Sequence, residues 1–130
     1  MQAYQAASRY HETKIRTASP TRLVLLLLEG AVREIDRARL AIDARKPAAA
    51  GEAFSRAVAI VGELRSVLDH ERGGELAANL AALYTYVQRA LIEANAARDP
   101  AQLAAPRRVL TELLDGFRTA FGEESSCRAA

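Results

Sequence analysis

The sequence predicts an all-α fold, an antiparallel up-down-up-down four-helix bundle preceded by a short N-terminal helical arm. Apolar residues recur at alternating spacings of three and four, which places them on one face of each successive helix. Proline and glycine residues mark short connections between these segments, and short connections make neighbouring helices antiparallel. No segment shows the strict alternation of apolar and polar residues that is typical of a half-buried strand.

Length and composition favour one domain that has its own apolar core. The chain has 130 residues, 50% of them hydrophobic, and its single cysteine, Cys127, excludes an internal disulfide. The 18 basic and 16 acidic side chains are interspersed, which is typical of a solvated helical surface. The longest strongly apolar run, residues 23–28, is far too short to span a bilayer, and the N-terminus lacks an apolar signal segment. We therefore expect a cytosolic protein without membrane insertion.

Both ends of the chain are expected to lie outside the bundle. Residues 1–16 contain Tyr4, Tyr10 and Ile15 at weak helical spacing and without a capping signal, which predicts a flexible arm or a short helix. Residues 122–130 are mostly small or polar, which predicts a disordered tail.

The bundle, residues 17–121, begins with a helix that is predicted over about residues 20–46. Ser19 can accept a hydrogen bond from the first turn, and Pro20 suits the first helical position. Pro47 disfavours a helical conformation in the residue before it and so ends the helix. The apolar seam of this helix consists of Val24, Leu28, Ala31, Ile35, Ala38 and Ile42.

Two further helices are predicted over about residues 49–70 and 75–97. Gly73 and Gly74 can adopt backbone angles that other residues resist, so we expect them to form a tight reversal between these helices. The seam of the second helix is Phe54, Ala57, Val61, Leu64 and Leu68, and that of the third is Leu76, Leu80, Leu83, Val87, Ala90 and Ala94.

The fourth helix is predicted over about residues 100–121. Asp99 and Pro100 repeat the cap-and-proline start of the first helix. Pro106 would remove a backbone hydrogen bond and clash with the preceding turn, so a kink or a restart is expected there. The seam consists of Leu103, Leu110, Leu114, Phe117 and Phe121.

Four leucines near the start of the first helix, Leu23, Leu25, Leu26 and Leu27, widen its apolar surface beyond one seam. An amphipathic helix of a partner could pack against them. Alternatively, they belong to the core and the N-terminal arm packs on them. The sequence allows both interpretations, and the two are compatible.

Two tyrosines of the third helix, Tyr84 and Tyr86, are predicted to point in opposite directions. They lie two positions apart, which corresponds to about 200° around a helix. Tyr84 is assigned to the border of the apolar seam, and Tyr86 is assigned outward, toward the arm or a partner.

Three segments together resemble the flagellar secretion chaperone (FliS) family. They are T-A-S-P at residues 17–20, G-G-E-L-A-A-N-L at residues 73–80, and L-Y-T-Y-V-Q-R-A-L-I-E-A-N at residues 83–95. The third is the most diagnostic, and the similarity extends over nearly the whole chain. Members of the family often have two successive arginines where this chain has Arg89 and Ala90, and Asp-Ala-Trp where it has Asp-Gly-Phe ending at Phe117.

The resemblance implies a chaperone without catalysis or a cofactor. Such a protein binds the disordered C-terminal segment of flagellin, prevents premature polymerisation and escorts flagellin to the export gate of the flagellar type III secretion apparatus. Flagellin-binding groove residues are expected to be Leu23, Leu25, Leu26, Leu27, Tyr86, Arg89 and Asn95. An export-gate contact is expected at Tyr4, Tyr10 and Ile15, and the chain is expected to be a monomer or a weak homodimer.

Functions of other classes find less support in the sequence. The pairs His11-Glu12 and His70-Glu71 lack the second histidine of a zinc-protease motif, so neither an enzyme nor a metal site is expected. Nucleic-acid binding is the main rival, because 16 of the basic residues are arginines, but acidic residues interrupt every basic stretch. A structural module that dimerises through the extra leucines is the other alternative.

Overall fold

The computed structural model describes residues 19–129, with side chains to residue 122. The predicted arm, residues 1–16, lies outside the described residues. No strand occurs among the described residues, and the predicted all-α class is confirmed. The helices are α1 (Pro20–Asp43), α2 (Pro47–Ser66), α3 (His70–Ala97) and α4 (Ala104–Ala129), with a 3₁₀ turn at Pro100–Leu103 before α4.

The first helix begins as its sequence predicts, whereas it ends earlier than expected and the connection to α2 lies at residues 44–46. Ser19 is the N-cap of α1, and its Oγ accepts a hydrogen bond from the N–H of Arg22 at 3.2 Å. Helix α1 ends at Asp43, and Arg45 adopts a left-handed conformation with φ 57°. Pro47 then serves as the first residue of α2, where its fixed φ favours helix initiation.

The reversal between α2 and α3 does not use the glycine pair, contrary to the prediction. Helix α3 begins at His70, and the carboxylate of its N-cap, Asp69, accepts a hydrogen bond from the N–H of Arg72 at 3.1 Å. This side-chain cap starts the helix before the glycines are reached. Gly74, with φ 49° and ψ −121°, instead kinks α3 after its first turn.

The interruption that Pro106 predicts is present in the structure. A short 3₁₀ turn precedes α4, and Pro106 lies in the first turn of the α-helix, where its missing N–H removes no helical hydrogen bond. Helix α4 then continues to Ala129, whereas a disordered tail was expected from residue 122. No proline follows Pro106, so no residue of that type ends the helix earlier.

The helices pack as a four-helix bundle. Helix α1 packs against α2 and α4, and α3 packs against α2 and, less extensively, against α4 and the 3₁₀ turn. Helices α1 and α3 make no close backbone contact, so they lie diagonally opposite each other. The α1–α2 interface is the most extensive because small residues let the backbones approach closely: Gly30, Ala31, Ala38, Ala53 and Ala57.

Helix α3 buries a different face from the one that its sequence predicts. Leu76 and Leu83 were assigned to the seam, but they are 64% and 38% exposed. The buried residues are Ala77, Tyr84, Val87, Leu91 and Ala94, so the core-facing side is rotated by about 50° from the predicted one. Tyr84, which was assigned to the seam border, therefore lies inside the core. Both faces are apolar, and the position of α2 selects between them.

Candidate binding surface

Exposed apolar side chains are concentrated on helix α3. Among the described residues, six large apolar side chains are exposed, and four of them belong to α3: Leu76, Leu83, Tyr86 and Ile92. Among the helix pairs that pack together, α3 and α4 share the smallest interface, which leaves much of the length of α3 uncovered. This concentration of exposed apolar side chains makes α3 a candidate site of interaction with another molecule.

The four exposed side chains lie on two different flanks of α3. The flank that faces α2 is identified by its hydrogen bonds: Gln88 Nε2 donates to the carbonyl oxygen of Val58 at 3.1 Å. Ile92 lies one turn after Gln88 and therefore belongs to this flank. Leu76, Leu83 and Tyr86 lie on the opposite flank, on the other side of the buried residues of α3. The two flanks are separated by the buried face of α3 on one side and by solvent on the other.

A groove between α2 and α3 is associated with the first flank. Its volume is about 280 Å³, and its lining residues are Phe54, Ser55, Val58, Ala59, Leu91, Ile92 and Asn95. Phe54 and Leu91 are buried and form an apolar floor, whereas Ile92 is 57% exposed at the rim. Asn95 supplies a buried side-chain oxygen, Oδ1, which has no hydrogen-bond partner among the described residues. The groove therefore combines apolar contacts with one unpaired acceptor.

The residues of α3 that the sequence singled out do not converge on one site. Asn95 lines the α2–α3 groove, as just described. Tyr86 precedes it by nine positions, which corresponds to about 180° around the helix, so it lies on the other flank. Tyr86 is 46% exposed, as its outward assignment predicts. Arg89 is also exposed and lies one turn after Tyr86, on the side away from the groove.

The four extra leucines of α1 divide into a buried and a half-buried pair. Leu26 and Leu27 are 7% and 3% exposed and belong to the core, so they are not available to a partner in this conformation. Leu23 and Leu25 are half-buried and pack against the core cluster. Because α1 and α3 are diagonal in the bundle, these leucines are separate from the surface of α3.

Sequence reasoning did not identify most of the α2–α3 groove. Ile92 and Val58 lie outside the predicted seams. The available signal was that both are apolar although the seams do not require apolar residues at their positions. Tyr4, Tyr10 and Ile15, which were predicted to contact the export gate, lie outside the described residues. Within the described part of the chain, no three metal-ligating side chains cluster, and no helix is long and apolar enough to cross a membrane.

Comparison with a solved structure supports the bundle architecture. The fold is similar to that in a structure described as a flagellar chaperone from bacteria, with a TM-score of 0.75. The likeness covers 93% of this chain and 98% of the other, at 23% sequence identity. At that identity the comparison establishes the fold alone.

Sequence comparisons establish the family. The chain is 38% identical over 117 residues to the flagellar secretion chaperone FliSB of Pseudomonas aeruginosa, covering 90% of this chain and 91% of that protein. It is 35% identical over 108 residues to the flagellar secretion chaperone FliS of Salmonella typhimurium, covering 82% and 80% of the two chains. A sequence model of the family described as "Flagellar protein FliS" matches residues 2–124. The chain therefore belongs to the FliS family of flagellar secretion chaperones, which are not enzymes.

Proposed function

We propose that this chain is a cytoplasmic export chaperone that binds the disordered C-terminal segment of flagellin, prevents its premature polymerisation and escorts it to the flagellar export gate. The observation that supports this function best is the concentration of exposed apolar side chains on two flanks of α3. A disordered segment that folds on binding must recover its ordering free energy by burying apolar area along an extended surface. Two separated apolar flanks suit a ligand that wraps around the bundle.

The α2–α3 groove is the best-defined part of the proposed binding surface. An amphipathic helix of flagellin would place one apolar side chain against Phe54 and Leu91 and another against Ile92 at the rim. The unpaired Oδ1 of Asn95 would accept a hydrogen bond from the ligand. Apolar contacts then supply most of the affinity, and the single acceptor fixes the register of the bound segment.

The opposite flank of α3 would bind a second part of the same segment. Leu76 and Leu83 contribute exposed apolar area, and Tyr86 adds an aromatic face with a polar hydroxyl. Arg89, one turn away, can donate to carbonyl or carboxylate oxygens of the ligand. A segment that covered only the α2–α3 groove would leave this area exposed.

The start of α1 and the N-terminal arm complete the proposal. Leu23 and Leu25 are half-buried and offer a smaller apolar contact to the flagellin segment. Tyr4, Tyr10 and Ile15 of the arm are proposed to contact the export gate. Deletion of residues 2–15 should then weaken binding to the cytoplasmic domain of the export gate, and unchanged binding would contradict this role.

Calorimetric titration with a C-terminal flagellin peptide tests the proposal. Saturable one-to-one binding with a negative heat-capacity change is expected, because the ligand buries apolar area. Ile92→Lys places a charge at the rim of the groove and should weaken binding about tenfold or more. Leu40→Lys is the matched control, because Leu40 is 67% exposed on α1 and lies outside the surface of α3; it should change affinity less than about twofold.

Three results would contradict the proposal. The first is the absence of heat at several temperatures, and the second is equal weakening by the Ile92 and Leu40 variants. The third is a stable dimer in solution whose dissociation is promoted by Ile92→Lys, because a second copy of the chain would then cover the groove.

A further inference from the structure

A second surface of the bundle is lined by arginines. A cleft of about 450 Å³ lies between α1 and α4, and its lining residues are Asp36, Arg39, Ala104, Arg107, Arg108 and Thr111. The two residues from α1 are three positions apart, and those from α4 are spaced by three or four, so each set lies on one face of its helix. Ala104 has a small side chain, which leaves room between the two faces.

The positive charge of this cleft exceeds its negative charge. Arg107 binds Asp36 through two hydrogen bonds, from Nε to Oδ1 at 2.7 Å and from Nη2 to Oδ2 at 3.2 Å. Arg39 and Arg108 have no acidic partner among the described residues. Three guanidinium groups therefore face one carboxylate, which leaves two of them available to a ligand.

Two other arginines of α1 and α4, Arg37 and Arg118, each have a carboxylate partner. Arg37 donates to Glu34 at 2.7 Å, and Arg118 donates to Glu29 at 3.0 Å across the α1–α4 interface. The cleft therefore differs from the neighbouring α1–α4 contact at Arg118 and Glu29, where each charged side chain has a partner.

We propose that the cleft binds an acidic segment of a partner protein, with Arg39 and Arg108 donating hydrogen bonds to two of its carboxylates. The fork between Arg107 and Asp36 shows the geometry that a guanidinium and a carboxylate adopt in this position. Planar guanidinium groups bind carboxylates through two parallel hydrogen bonds, which gives specificity as well as affinity.

A protein segment fits the cleft better than a nucleic acid does. A nucleic-acid backbone needs a continuous basic track along which successive phosphates bind. Here Asp36 lies inside the cleft, and Glu29 and Asp115 lie further along the same two helices, so the basic surface is short and bounded by acids. A short acidic stretch requires only the two available arginines.

The cleft is separate from the proposed flagellin-binding groove. It lies between α1 and α4, whereas the groove lies between α2 and α3, and the two share no lining residue. An acidic partner and a flagellin segment can therefore be bound at the same time. This inference does not depend on flagellin being the ligand of α3.

Fluorescence anisotropy of the full chain with a labelled peptide tests the inference. The probe is a flexible glycine-serine peptide with four consecutive glutamates, and its control has glutamines at those positions. At low salt, Arg39→Gln combined with Arg108→Gln should weaken binding of the acidic peptide about tenfold or more. The charge-matched control, Arg22→Gln with Arg72→Gln, changes exposed arginines away from the cleft and should weaken it less than about threefold.

A variant that should strengthen binding of the acidic peptide distinguishes the loss of specific contacts from misfolding. Asp36→Asn releases Arg107 from its internal carboxylate and should strengthen binding of the acidic peptide about threefold or more. Equal weakening by the two double variants, or no strengthening by Asp36→Asn, would overturn the proposal. So would tighter binding of a single-stranded oligonucleotide that depends on Arg39 and Arg108. Titration of the cleft double variant with the flagellin peptide tests the function of α3 separately.

Discussion

Arg56 of α2 donates a hydrogen bond from Nε to Oε2 of Glu34 on α1 at 3.0 Å. Glu34 is only 6% exposed, and its other oxygen accepts a hydrogen bond from Arg37 at 2.7 Å. Burial of a carboxylate is unfavourable unless opposite charge and hydrogen bonds compensate for its lost hydration. Two arginines provide that compensation here, at the most extensive helix interface of the bundle.

Replacement of Glu34 by alanine should lower the free energy of unfolding by about 1–3 kcal/mol, because both arginines lose a charged acceptor. Partial exposure of the arginines lets water replace some of the lost interaction, which favours the lower part of this range. Glu52→Ala is the control, since Glu52 is 70% exposed and its oxygen lies 3.9 Å from Arg56. Urea denaturation should show a change below about 0.5 kcal/mol for that control. Equal effects of the two variants would contradict a special role of Glu34.

Gly74 and Gly116 offer a matched test of backbone conformation. A Cβ added at either position would meet nothing within 4 Å, so the available space does not distinguish the two sites. Gly74 has φ 49° and ψ −121°, a region that is open essentially to glycine, whereas Gly116 lies inside α4. Gly74→Ala should therefore lower the free energy of unfolding by about 1–3 kcal/mol. Gly116→Ala should raise it by about 0.5–1 kcal/mol. Thermal denaturation of both variants checks the signs, and stabilisation by Gly74→Ala would show that α3 is not kinked there.

Tyr84 should make the bundle sensitive to alkaline pH. The side chain is 1% exposed, and burial raises the pKa of its phenol from 10.0 to about 12. Between these values the folded state binds more protons at this site than the unfolded state, so stability decreases as pH rises. The contribution of Tyr84 is fully present below pH 10 and should be lost by about pH 12, with a loss of about 2–3 kcal/mol.

Tyr84→Phe is the comparison that isolates this effect. The variant has no phenol to ionise, so its stability should fall less steeply over the same pH interval. Parallel stability profiles for the two proteins, measured by urea denaturation between pH 9 and pH 12, would show that Tyr84 does not titrate in the manner predicted.

Local signals in the sequence predicted the fold because they act within a few residues. Ser19 and Pro20 define the start of α1 through one side-chain hydrogen bond and one fixed backbone angle. The buried face of α3 was not predictable in this way. Its apolar residues cover more than one face, so the sequence alone does not show whether the face of Leu83 or that of Leu91 packs in the core. Packing against α2 decides between them and leaves Leu83 exposed.

The candidate site was predictable only in part. The family pattern drew attention to Tyr86, Arg89 and Asn95, and their spacing places Tyr86 about 180° from Asn95, but the sequence does not show which of them borders the groove with α2. The arginine cleft required the structure, because Asp36 and Arg107 are 71 positions apart in the sequence. Contacts across such distances depend on how the helices pack rather than on local periodicity.

Asn95 provides a test that separates binding from stability. Its Oδ1 is buried without a hydrogen-bond partner among the described residues, and such an acceptor lowers the stability of the free protein. Asn95→Ala should therefore leave the free energy of unfolding unchanged or raise it by up to about 1 kcal/mol. The same variant should weaken binding of the flagellin peptide about threefold to tenfold, because the ligand loses one acceptor. A structural role alone would lower stability and leave affinity unchanged.

Asn79→Ala is the control for this prediction, because Asn79 is exposed on the same helix but does not line the groove. It should change neither the free energy of unfolding nor the affinity by more than about 0.5 kcal/mol. For Asn95→Ala alone, the affinity should fall while the free energy of unfolding stays unchanged or rises. A polar group that destabilises the free chaperone and strengthens the complex is expected where a ligand supplies the missing donor, and the opposite pattern would identify Asn95 as an ordinary packing residue at the end of α3.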